Sequence, residues 1–349
     1  MAREGIKTQG GSGGVSRLRA DMNVRPGRRS PEIRPGMISV VVPNYNGRRY
    51  LEGCLSSLSD QTFRNFETIL VDNGSSDGSA EFTREKFPEV RIVENETNLG
   101  FAGGVNSGIR SARGEFILTL NNDTIADRDL LRCLAEAIGS DDGVGIVAPK
   151  MLLFDGRINS TGICVSRSGA AWDRGMGEAD HGQYDEACEV FGPSAGAGLY
   201  RREMLEEIGL FDEDFFMYME DVDLAFRGQL AGWRCLFVPE ARVCHFHGGT
   251  AGFGSDLSVY YGNRNVLWYP VKDFPARLLV TSLPWIAGRN LAVIPYYALR
   301  GQGRTALRSK VDGLKGLPLM LGRRKKVVRK VSEREIRKHI RTWSEIREP

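Results

Sequence analysis

The chain has 349 residues, of which 41% are hydrophobic and 26% charged, and its formal net charge is +3. This composition suits one large soluble globular domain, or one such domain with an appendage. The six cysteines have no CxxC spacing, which argues against a zinc knuckle or a disulfide framework and favours a reducing compartment. The N-terminus lacks the apolar core of a secretory signal, and no segment offers about 18 uninterrupted apolar residues, so no spanning helix is expected.

The chain divides into three parts by composition. Residues 1–36 are rich in Gly, Ser, Pro and Arg, which predicts a disordered basic arm. Residues 37–272 carry the patterned strands and helices of the main domain. Residues 273–349 are predicted to form a helical, basic extension.

The main domain alternates strands and helices. Predicted strands are ISVVVP (Ile38 to Pro43), FETILVD, VRIVEN, EFILTL and VGIVAP, with a helical pattern between each pair. This alternation predicts an α/β fold with a mostly parallel sheet covered by helices on both faces. Ligands of open α/β sheets bind at the carboxyl ends of the strands. From Met151 to Phe191 the pattern breaks down, and we expect loops and short antiparallel strands that shape a substrate pocket.

Two of these strands end on acidic residues. In LVDNGSSDGS, Asp72 can accept hydrogen bonds from a base or a ribose, although turn chemistry and capping by Asp77 are the alternative. In LTLNNDT, the apolar strand stops on Asn121, Asn122 and Asp123. A divalent cation prefers carboxylate and diphosphate oxygens together, so Asp123 is predicted to seat a metal against a nucleotide diphosphate.

The segment NLGFAGGVNSGIRSARG places small residues beside a helix start. Glycine permits close approach of a phosphate to the backbone, and helix N-termini attract anions. The spacing matches neither GxGxxG nor a Walker loop. Close packing of the helix explains the glycines equally well.

Two later motifs concentrate titratable groups. MYMEDVDLAFR holds Glu220, Asp221 and Asp223 ahead of a helical pattern, where they could offset the helix dipole. Mutual repulsion of these carboxylates would be resolved by a metal, by a basic neighbour such as Arg227 or by a shared proton. In CHFHGG, two histidines at i and i+2 point the same way on a strand and serve either as ligands or in packing.

Taken together, these blocks resemble the inverting nucleotide-sugar glycosyltransferases of family 2, whose fold is called GT-A. The resemblance runs from about Ile38 to Pro275 and includes VVVPNYNGRRYLEGCLSSL, ILVDNGSSDGS, NLGFAGGVNSGI, LNNDT, GLFDEDFFMYMEDVDLAFR, GWR and YYGNRNVLWYPVK, in family order. The subgroup that it most resembles is the bacterial rhamnosyltransferases and related polysaccharide-building enzymes.

The resemblance implies roles for individual residues. The implied donor-binding residues are Pro43, Asn46, Asp72, Asn98, Gly100, Asn106 and Asn122. Asp72 would contact the base. Asp123 stands at the last Asp of the family's DxD metal motif, with Asn121 at the first, and His245 would help to hold the metal or diphosphate, with His247 as the fallback. The implied cofactor is Mg²⁺ or Mn²⁺.

The implied reaction needs one base. Asp221 of the Glu220–Asp221 pair would take the proton of an acceptor hydroxyl, and direct displacement of the nucleoside diphosphate inverts the anomeric centre. The donor would be a dTDP- or UDP-sugar, with dTDP-rhamnose as one candidate, and the acceptor a polysaccharide or lipid-linked glycan. Trp172, Arg201 and Arg202 are candidate acceptor contacts, with surface solvation as the alternative for the arginines.

The C-terminal part combines apolar helices with the basic run GRRKKVVRK. That combination favours peripheral contact of a cytoplasmic protein with the anionic inner face of a membrane. A solvated basic helix packed on the catalytic domain is the alternative. No aromatic-interleaved basic patch supports nucleic-acid binding, so none is expected.

Two other functions are compatible with parts of the pattern. One is a non-catalytic protein that binds a sugar nucleotide or polysaccharide with the same fold. The other is a nucleotidyltransferase, which would be expected to show a Gly-rich basic loop after the first strand. PNYNGRR matches such a loop poorly, and the presence of Asp72, Asp123 and Asp221 argues for an active enzyme.

Overall fold

The computed structural model describes residues 31–246 and 254–341. Residues 1–30 of the predicted basic arm, and His247, lie outside these ranges. The first strand begins at Arg34, ahead of the predicted start of order at Met37.

The secondary structure follows the predicted alternation. The first half of the chain contains β1 (Arg34–Asn44), α1 (Arg48–Ser59), β2 (Phe66–Asp72), α2 (Ser79–Lys86), β3 (Arg91–Glu94), α3 (Gly100–Ser111), β4 (Gly114–Leu120), β5 (Thr124–Ala126), α4 (Leu130–Gly139) and β6 (Val144–Leu153). The second half contains β7 (Ile158–Ser160), β8 (Ile163–Ser166), β9 (Ala171–Asp173), β10 (Cys188–Val190), β11 (Ala197–Arg201), α5 (Arg202–Ile208), a 3₁₀ turn (Glu213–Phe215), α6 (Glu220–Ala231), β12 (Arg234–His245), α7 (Asp256–Asp273), α8 (Ala276–Ala298), α9 (Gly303–Lys315), α10 (Leu317–Arg324), α11 (Glu333–Lys338) and β13 (Ile340–Arg341).

One large sheet organises the molecule. Its strand order is β10-β12-β6-β11-β4-β1-β2-β3, with β5 on β12 and β7 on β6. Strands β3, β2, β1 and β4 are parallel, whereas β11 is antiparallel to both β4 and β6. The sheet is therefore mixed, and its parallel half reverses strand order between β1 and β4. A crevice outside the carboxyl ends at such a reversal is where α/β sheets bind ligands.

Small residues let α3 lie close to this sheet. A Cβ added at Gly108 would come within 2.4 Å of Val41 Cγ1 and 2.9 Å of Val71 Cγ2. The glycines of this segment thus include positions required by helix packing, one of the two explanations that the sequence left open.

The region from Met151 to Phe191 forms the predicted short antiparallel strands. β7 pairs antiparallel with the carboxyl end of β6. β8 and β9 pair in a separate sheet that β13 completes. This small sheet lies beside α6 and the C-terminal helices, because Val165, Phe226, Tyr269 and Ile336 belong to one buried apolar cluster.

The C-terminal helices are part of the same packed body as α6. The shared cluster also takes in Leu278, Ile286 and Met320. Within the described ranges, α8 alone is long and apolar enough to cross a membrane by length and composition, and most of its apolar window is exposed. Pro284, Arg289 and Pro295 interrupt its apolar run, so the expectation that the chain has no spanning helix stays a prediction.

Candidate active site

A hydrogen-bonded chain of polar side chains lines the carboxyl ends of β1, β2 and β4. Asn44 donates from Nδ2 to Asp72 Oδ1 (3.3 Å), and Asn122 donates to Asn44 Oδ1 (2.6 Å). The backbone N–H of Ser75 donates to Asp72 Oδ2 (3.1 Å). All three of Asn44, Asp72 and Asn122 are buried. The predicted donor residues Asp72 and Asn122 are thus joined by Asn44, which the sequence did not single out.

The loop after β1 is closed against the loop after β2. Asn46 adopts a left-handed conformation (φ 50°), its N–H donates to Ser75 Oγ, and its Oδ1 accepts from the N–H of Ser76. At Gly47, an added Cβ would lie 2.0 Å from Asn122 Nδ2. Pro43 precedes this loop on β1, opposite Val71. Pro43, Asn46 and Asp72 therefore lie at one edge of the sheet.

Asn73 ties the next loop to the start of α3. It donates to Asn98 Oδ1 (3.0 Å) and to the carbonyl of Gly100 (2.9 Å), and it accepts from the N–H of Leu99. Gly100 has φ +74°, and a Cβ there would lie 2.4 Å from the Phe216 carbonyl. Gly100 is thus required for the loop ahead of Asp221 to approach α3.

Asn106, a predicted donor contact, has another role in this structure. Its Nδ2 donates to the Phe211 carbonyl (2.8 Å), and its Oδ1 accepts from the Phe211 N–H (3.2 Å). The side chain is buried and holds α3 to the segment before the 3₁₀ turn. Because the amide is bonded to Phe211 and also to Glu213, these contacts do not support a direct donor contact of Asn106, which stays a prediction.

Asp123 and His245 meet where β5 pairs with β12. Asp123 Oδ1 lies 3.2 Å from His245 Nε2, and Asn121 Nδ2 lies 3.4 Å from the same nitrogen. On the other side of the ring, His245 Nδ1 is 2.7 Å from Asn159 Oδ1. The Asn159 amide nitrogen faces Met176 Sδ, so its oxygen accepts the Nδ1–H of the histidine.

This arrangement fits a divalent cation. With the proton on Nδ1, His245 Nε2 presents a lone pair beside a carboxylate oxygen of Asp123, and a cation bound between these two acceptors would offset their repulsion. Imidazole nitrogen and carboxylate oxygen are both common metal ligands. Among the described residues no cluster of three His, Cys, Asp or Glu side chains occurs, so further ligands would have to come from other groups.

Asp221 lies at the start of α6 with its carboxylate held by two backbone donors. The N–H of Ala195 donates to Oδ2 (3.0 Å) and that of Val222 to Oδ1 (2.8 Å). Burial raises the pKa of Asp221 to about 6, the two backbone hydrogen bonds oppose this shift, and the charge of Asp173 adds to it. A carboxylate of this pKa is mostly ionised near neutrality yet basic enough to accept a proton.

The other two carboxylates of the motif differ in their surroundings. Burial, followed by the charge of Asp221, raises the pKa of Glu220 well above its usual range, which favours a neutral Glu220. Asp223 is paired with Arg227 (Nη2 to Oδ2, 2.7 Å), which also donates to the carbonyls of residues 208–210. A basic neighbour, one of the three explanations left open by the sequence, accounts for Asp223.

The loop before Asp221 is strained and is held from α7. Phe216, Tyr218 and Met219 all have φ between 66° and 68°. Asn265 Nδ2 lies within hydrogen-bond distance of the carbonyls of residues 215, 217 and 218, at 2.8–2.9 Å. Such conformations cost about 1–3 kcal/mol each and persist only where the surroundings fix them. Asn265 is therefore a positioning residue for the Asp221 loop, in a block whose function the sequence had not indicated.

Residues Ala195 and Gly196 connect the two halves of the site. Ala195 holds Asp221, while the carbonyl of Gly196 accepts from the N–H of Asn121 (2.9 Å). A Cβ added at Gly196 would lie 3.4 Å from His245 Cε1. Asp221, Asn121 and His245 therefore surround one short segment, and the predicted pocket segment GPSAGAGLYRRE contributes its glycine and alanine here.

Asp173 is a site residue that the sequence analysis missed. Its carboxyl group interacts with Ser160 and Ser194, and its Oδ1 is buried without a hydrogen-bond partner among the described residues. Ser194 directly precedes Ala195, which links this carboxyl to that of Asp221. Burial raises the pKa of Asp173. The only sequence signal was its place beside Trp172 in a region without periodicity.

The structure contradicts acceptor contacts by Arg201 and Arg202. Arg201 donates to the carbonyls of Val144 and Ile138, and Arg202 donates to those of Gly114 and Ala112. Both are buried. Arg201 pairs with Phe116 on β4, at the opposite end of that strand from Asp123. Surface solvation, the alternative, is equally wrong, since the two side chains satisfy buried carbonyls.

Trp172 is half-buried on β9, opposite Cys164. Successive side chains of a strand point to opposite faces, so Trp172 and Asp173 do not share one. The acceptor contact of Trp172 stays a prediction that no contact in the structure supports.

Comparison with known proteins gives one family for the main domain. Residues 39–209 match the model of glycosyl transferase family 2. The chain is 28% identical over 305 residues to N-acetylglucosaminyl-diphospho-decaprenol L-rhamnosyltransferase of Mycobacterium tuberculosis, covering 80% of this chain and 98% of that protein. It is 37% identical over 109 residues to glycosyltransferase GlyG of Streptococcus pneumoniae, covering 30% of this chain and 36% of that one.

Solved structures share the fold at low identity. GalNAc-T7 with UDP, GalNAc and Mn²⁺ superposes with a TM-score of 0.54 at 18% identity, over 69% of this chain and 50% of that one. TarS of S. aureus superposes with a TM-score of 0.52 at 20% identity, over 83% of this chain and 53% of that one. The fold is thus the nucleotide-sugar transferase fold expected from the sequence.

Proposed function

The chain belongs to glycosyltransferase family 2, and on that premise we propose that it is an inverting enzyme that moves L-rhamnose from dTDP-rhamnose to a lipid-linked glycan. The observation that carries the chemistry is the buried Asp221, with a pKa of about 6, held by the Ala195 N–H beside Asn121 and His245. The rhamnosyltransferase similarity, which spans most of both chains, supports the choice of sugar and acceptor.

The donor nucleotide is proposed to lie at the carboxyl ends of β1, β2 and β4. Asp72 and Asn46 would contact the nucleoside, and Asn98 and Gly100 would border the loop that follows it. Support comes from their common edge of the sheet and from the reversal of strand order there. A single buried network of amides and one carboxylate can bind the polar edge of a pyrimidine base.

A divalent cation, Mg²⁺ or Mn²⁺, would be held by Asp123 and His245. When bound, it would stabilise negative charge on the leaving diphosphate. Asn159 keeps the His245 lone pair on Nε2, and Asn121 borders the same nitrogen. Diphosphate oxygens would complete the ligand set.

Asp221 performs the proton transfer. A hydroxyl of the acceptor attacks the anomeric carbon, its proton passes to Asp221, and the bond from that carbon to the diphosphate oxygen breaks in the same displacement. One base and one displacement invert the configuration, in contrast to the two-carboxylate retaining scheme of glycosidases. Glu220, held neutral by burial, adds no second charge beside the base.

The enzyme is proposed to work at the cytoplasmic side of a membrane, since a lipid-linked acceptor is confined to the membrane. The non-catalytic alternative predicts nucleotide binding without turnover.

A panel of nucleotide sugars tests the proposal. The purified protein is incubated with Mg²⁺ or Mn²⁺, a short-chain N-acetylglucosaminyl diphosphate lipid and dTDP-rhamnose, UDP-N-acetylglucosamine, UDP-galactose or GDP-mannose. Transfer from dTDP-rhamnose, with an inverted anomeric centre by NMR, is expected. Transfer from another donor alone would contradict the rhamnose assignment, and dTDP or UDP binding without transfer from any donor would favour the non-catalytic alternative.

A further inference from the structure

The C-terminal helical region is strongly and uniformly basic. Between Phe274 and Ser332 there are thirteen lysines and arginines and a single acidic residue, Asp312. Asp312 is partly exposed and already bonded to Tyr260 Oη (2.9 Å). The region therefore carries a large positive excess, although the whole chain is close to neutral.

α9 is amphipathic in an unusual sense, because its exposed face carries apolar residues. Leu307, Val311 and Leu314 are 53%, 43% and 58% exposed and follow an i, i+4, i+7 spacing. Arg304, Arg308 and Lys315 are exposed on the same helix. The inward residues are instead small or buried polar groups: Ala306, Ser309, Lys310 and Gly313.

α8 shows the same inversion. Its buried residues are Leu278, Ser282, Ile286 and Asn290, one every four residues, so a single narrow face packs on the protein. The remaining surface exposes Val280 (65%), Leu283 (50%), Trp285 (51%) and Leu291 (68%). A narrow inward face and a wide exposed apolar face are the reverse of what an ordinary surface helix shows.

The two helices form a hairpin whose tip is apolar and basic. The tip residue Leu299 is 90% exposed, and the guanidinium of Arg300 lies 3.8 Å from the centre of the Tyr296 ring. We call the exposed side chains of Leu291, Tyr296, Leu299, Leu307, Val311 and Leu314 the hairpin surface. Aromatic rings and long cations beside aliphatic residues suit the boundary between lipid headgroups and acyl chains.

The basic run GRRKKVVRK, which the sequence analysis linked to a membrane, offers fewer cations to a lipid surface than its composition suggests. Arg323 donates to Asp214 (2.6 Å), and Arg324 donates to the carbonyls of residues 271, 272 and 274. Two of its four densest cations thus hold α10 to the protein. Lys325 and Lys326 remain exposed.

We propose that the hairpin surface is a membrane-docking site that lies in the plane of an anionic bilayer, with Arg300, Arg304, Arg308 and Lys315 on lipid phosphates. This inference rests on the proposed function, because a lipid-linked acceptor requires access to a membrane. Charge complementarity selects an anionic lipid surface as the occupant. A second copy of this basic hairpin would place like charges together, and an apolar protein groove would not use the interleaved cations.

The hairpin is connected to the loop before Asp221 through α7. α9 packs on α7 through Lys310, which donates to the Asn263 carbonyl (2.7 Å), and Asn265 of the same helix holds the loop before Asp221. Docking the hairpin would therefore set the distance between the Asp221 loop and the lipid surface.

Vesicle sedimentation of the full chain tests the proposal. Vesicles of phosphatidylcholine with phosphatidylglycerol are expected to bind the protein, with weaker binding at high salt, whereas phosphatidylcholine alone binds it poorly. Arg304→Gln with Lys315→Gln should weaken binding roughly 30-fold, at about 1 kcal/mol per cation. Leu307→Gln with Leu314→Gln should weaken it by removing apolar contact. Lys86→Gln with Arg128→Gln, an equal charge change at exposed positions elsewhere, should not.

Failure of the docking site can be distinguished from failure of the proposed function. Transfer to a water-soluble acceptor, measured for each variant, reports folding and the proposed function separately from vesicle binding. A wild-type protein that transfers sugar but ignores anionic vesicles overturns the docking site and leaves the function intact. Retention on vesicles in alkaline carbonate would show a spanning α8 and overturn in-plane docking. A dimer in solution that Leu307→Gln with Leu314→Gln converts to a monomer would give the surface to a second copy and also overturn it.

Discussion

The residues of the site differ mainly in what their surroundings do to their charge. Asp221 and Glu220 are neighbours in sequence, yet two backbone donors stabilise the ionised form of Asp221, whereas Glu220 Oε2 is buried without a partner among the described residues. This difference favours Asp221 over Glu220 as the proposed base, because burial favours a neutral Glu220. Asp173, on β9 of the small sheet, is a third carboxyl group near the site, and its charge raises the pKa of Asp221.

The first prediction concerns pH. Because burial and Asp173 raise the pKa of Asp221, kcat/KM should rise with pH through about 6 as the base ionises. Asp173→Asn removes one of the raising causes, so the acid limb should move to lower pH. The pH profiles of wild type and variant check this. An unchanged acid limb in Asp173→Asn would contradict electrostatic coupling of the two groups, whereas a loss of kcat without a shift would indicate a merely structural role.

The second prediction concerns the imidazole. Asn159→Leu removes the acceptor that keeps the proton of His245 on Nδ1, and loss of such an outer partner typically weakens metal binding about 10–100-fold. Titration of activity with Mn²⁺ should therefore show a higher half-saturating concentration, with nucleotide binding in the absence of metal little changed. An unaltered Mn²⁺ dependence would remove Asn159 from the metal site.

At the scale of elements, the catalytic loop depends on a helix distant in sequence. The three left-handed residues before Glu220 are stabilised by Asn265 on α7, together with Arg264, which donates to the carbonyls of Asp214 and Phe215. The loop and α7 thus form one unit, and the reach of α7 to the hairpin extends that unit to the molecular surface.

The third prediction follows from this unit. Asn265→Leu removes the side-chain donor of the carbonyls of residues 217 and 218, while the Phe215 carbonyl still accepts from Arg264, and this loss should cost about 1–3 kcal/mol in the free energy of unfolding. We expect kcat to fall more than donor affinity, because Asp221 is displaced while the β1–β2 edge is intact. Urea unfolding measures the stability, a sugar-transfer assay measures kcat, and calorimetry with dTDP measures donor affinity. Loss of donor affinity with an unchanged kcat would contradict the positioning role.

The fourth prediction concerns the packing of α3. Gly108→Ala forces a Cβ against Val41 and Val71 and should cost about 1–3 kcal/mol in stability. Gly139→Ala, at the end of α4 with nothing within 4 Å of an added Cβ, is the matched control and should be neutral or stabilising. Equal stability of the two variants in urea would show that α3 is not closely packed on the sheet.

Much of the fold could be predicted from sequence because strand and helix periods are local signals. FETILVD coincides with β2, and the helical pattern predicted as SAEFTREKF contains α2, which ends one residue earlier. The strand ends placed Asp72 and Asp123 at one edge. Asp173, Asn159 and Asn265 were not found, since each reaches the site from a segment without a strand-end signal. Arg201 and Arg202 were misassigned because an arginine's burial depends on which carbonyls tertiary packing leaves unpaired.

At the scale of the whole molecule, three parts of the structure meet at the proposed active site. The parallel half of the sheet would bind the donor at the carboxyl ends of its strands, Ala195 and Gly196 connect that edge to Asp221, and α7 holds the loop before Asp221. The helices and the small sheet share an apolar core with α6, so the C-terminal region is packed onto the catalytic part. Membrane docking would then orient the whole body.

We propose that Asp221 is the base and that other residues bind the donor. The raised pKa of Asp221 means that the folded state loses stability as pH rises through about 6, whereas an Asn side chain can accept only one of the two backbone hydrogen bonds, so Asp221→Asn should have a stability near that of wild type. The decisive measurement is sugar transfer by Asp221→Asn together with calorimetry of metal-dependent nucleotide binding. We predict that transfer is abolished while nucleotide binding stays within a few-fold of wild type. Full transfer by this variant would contradict it.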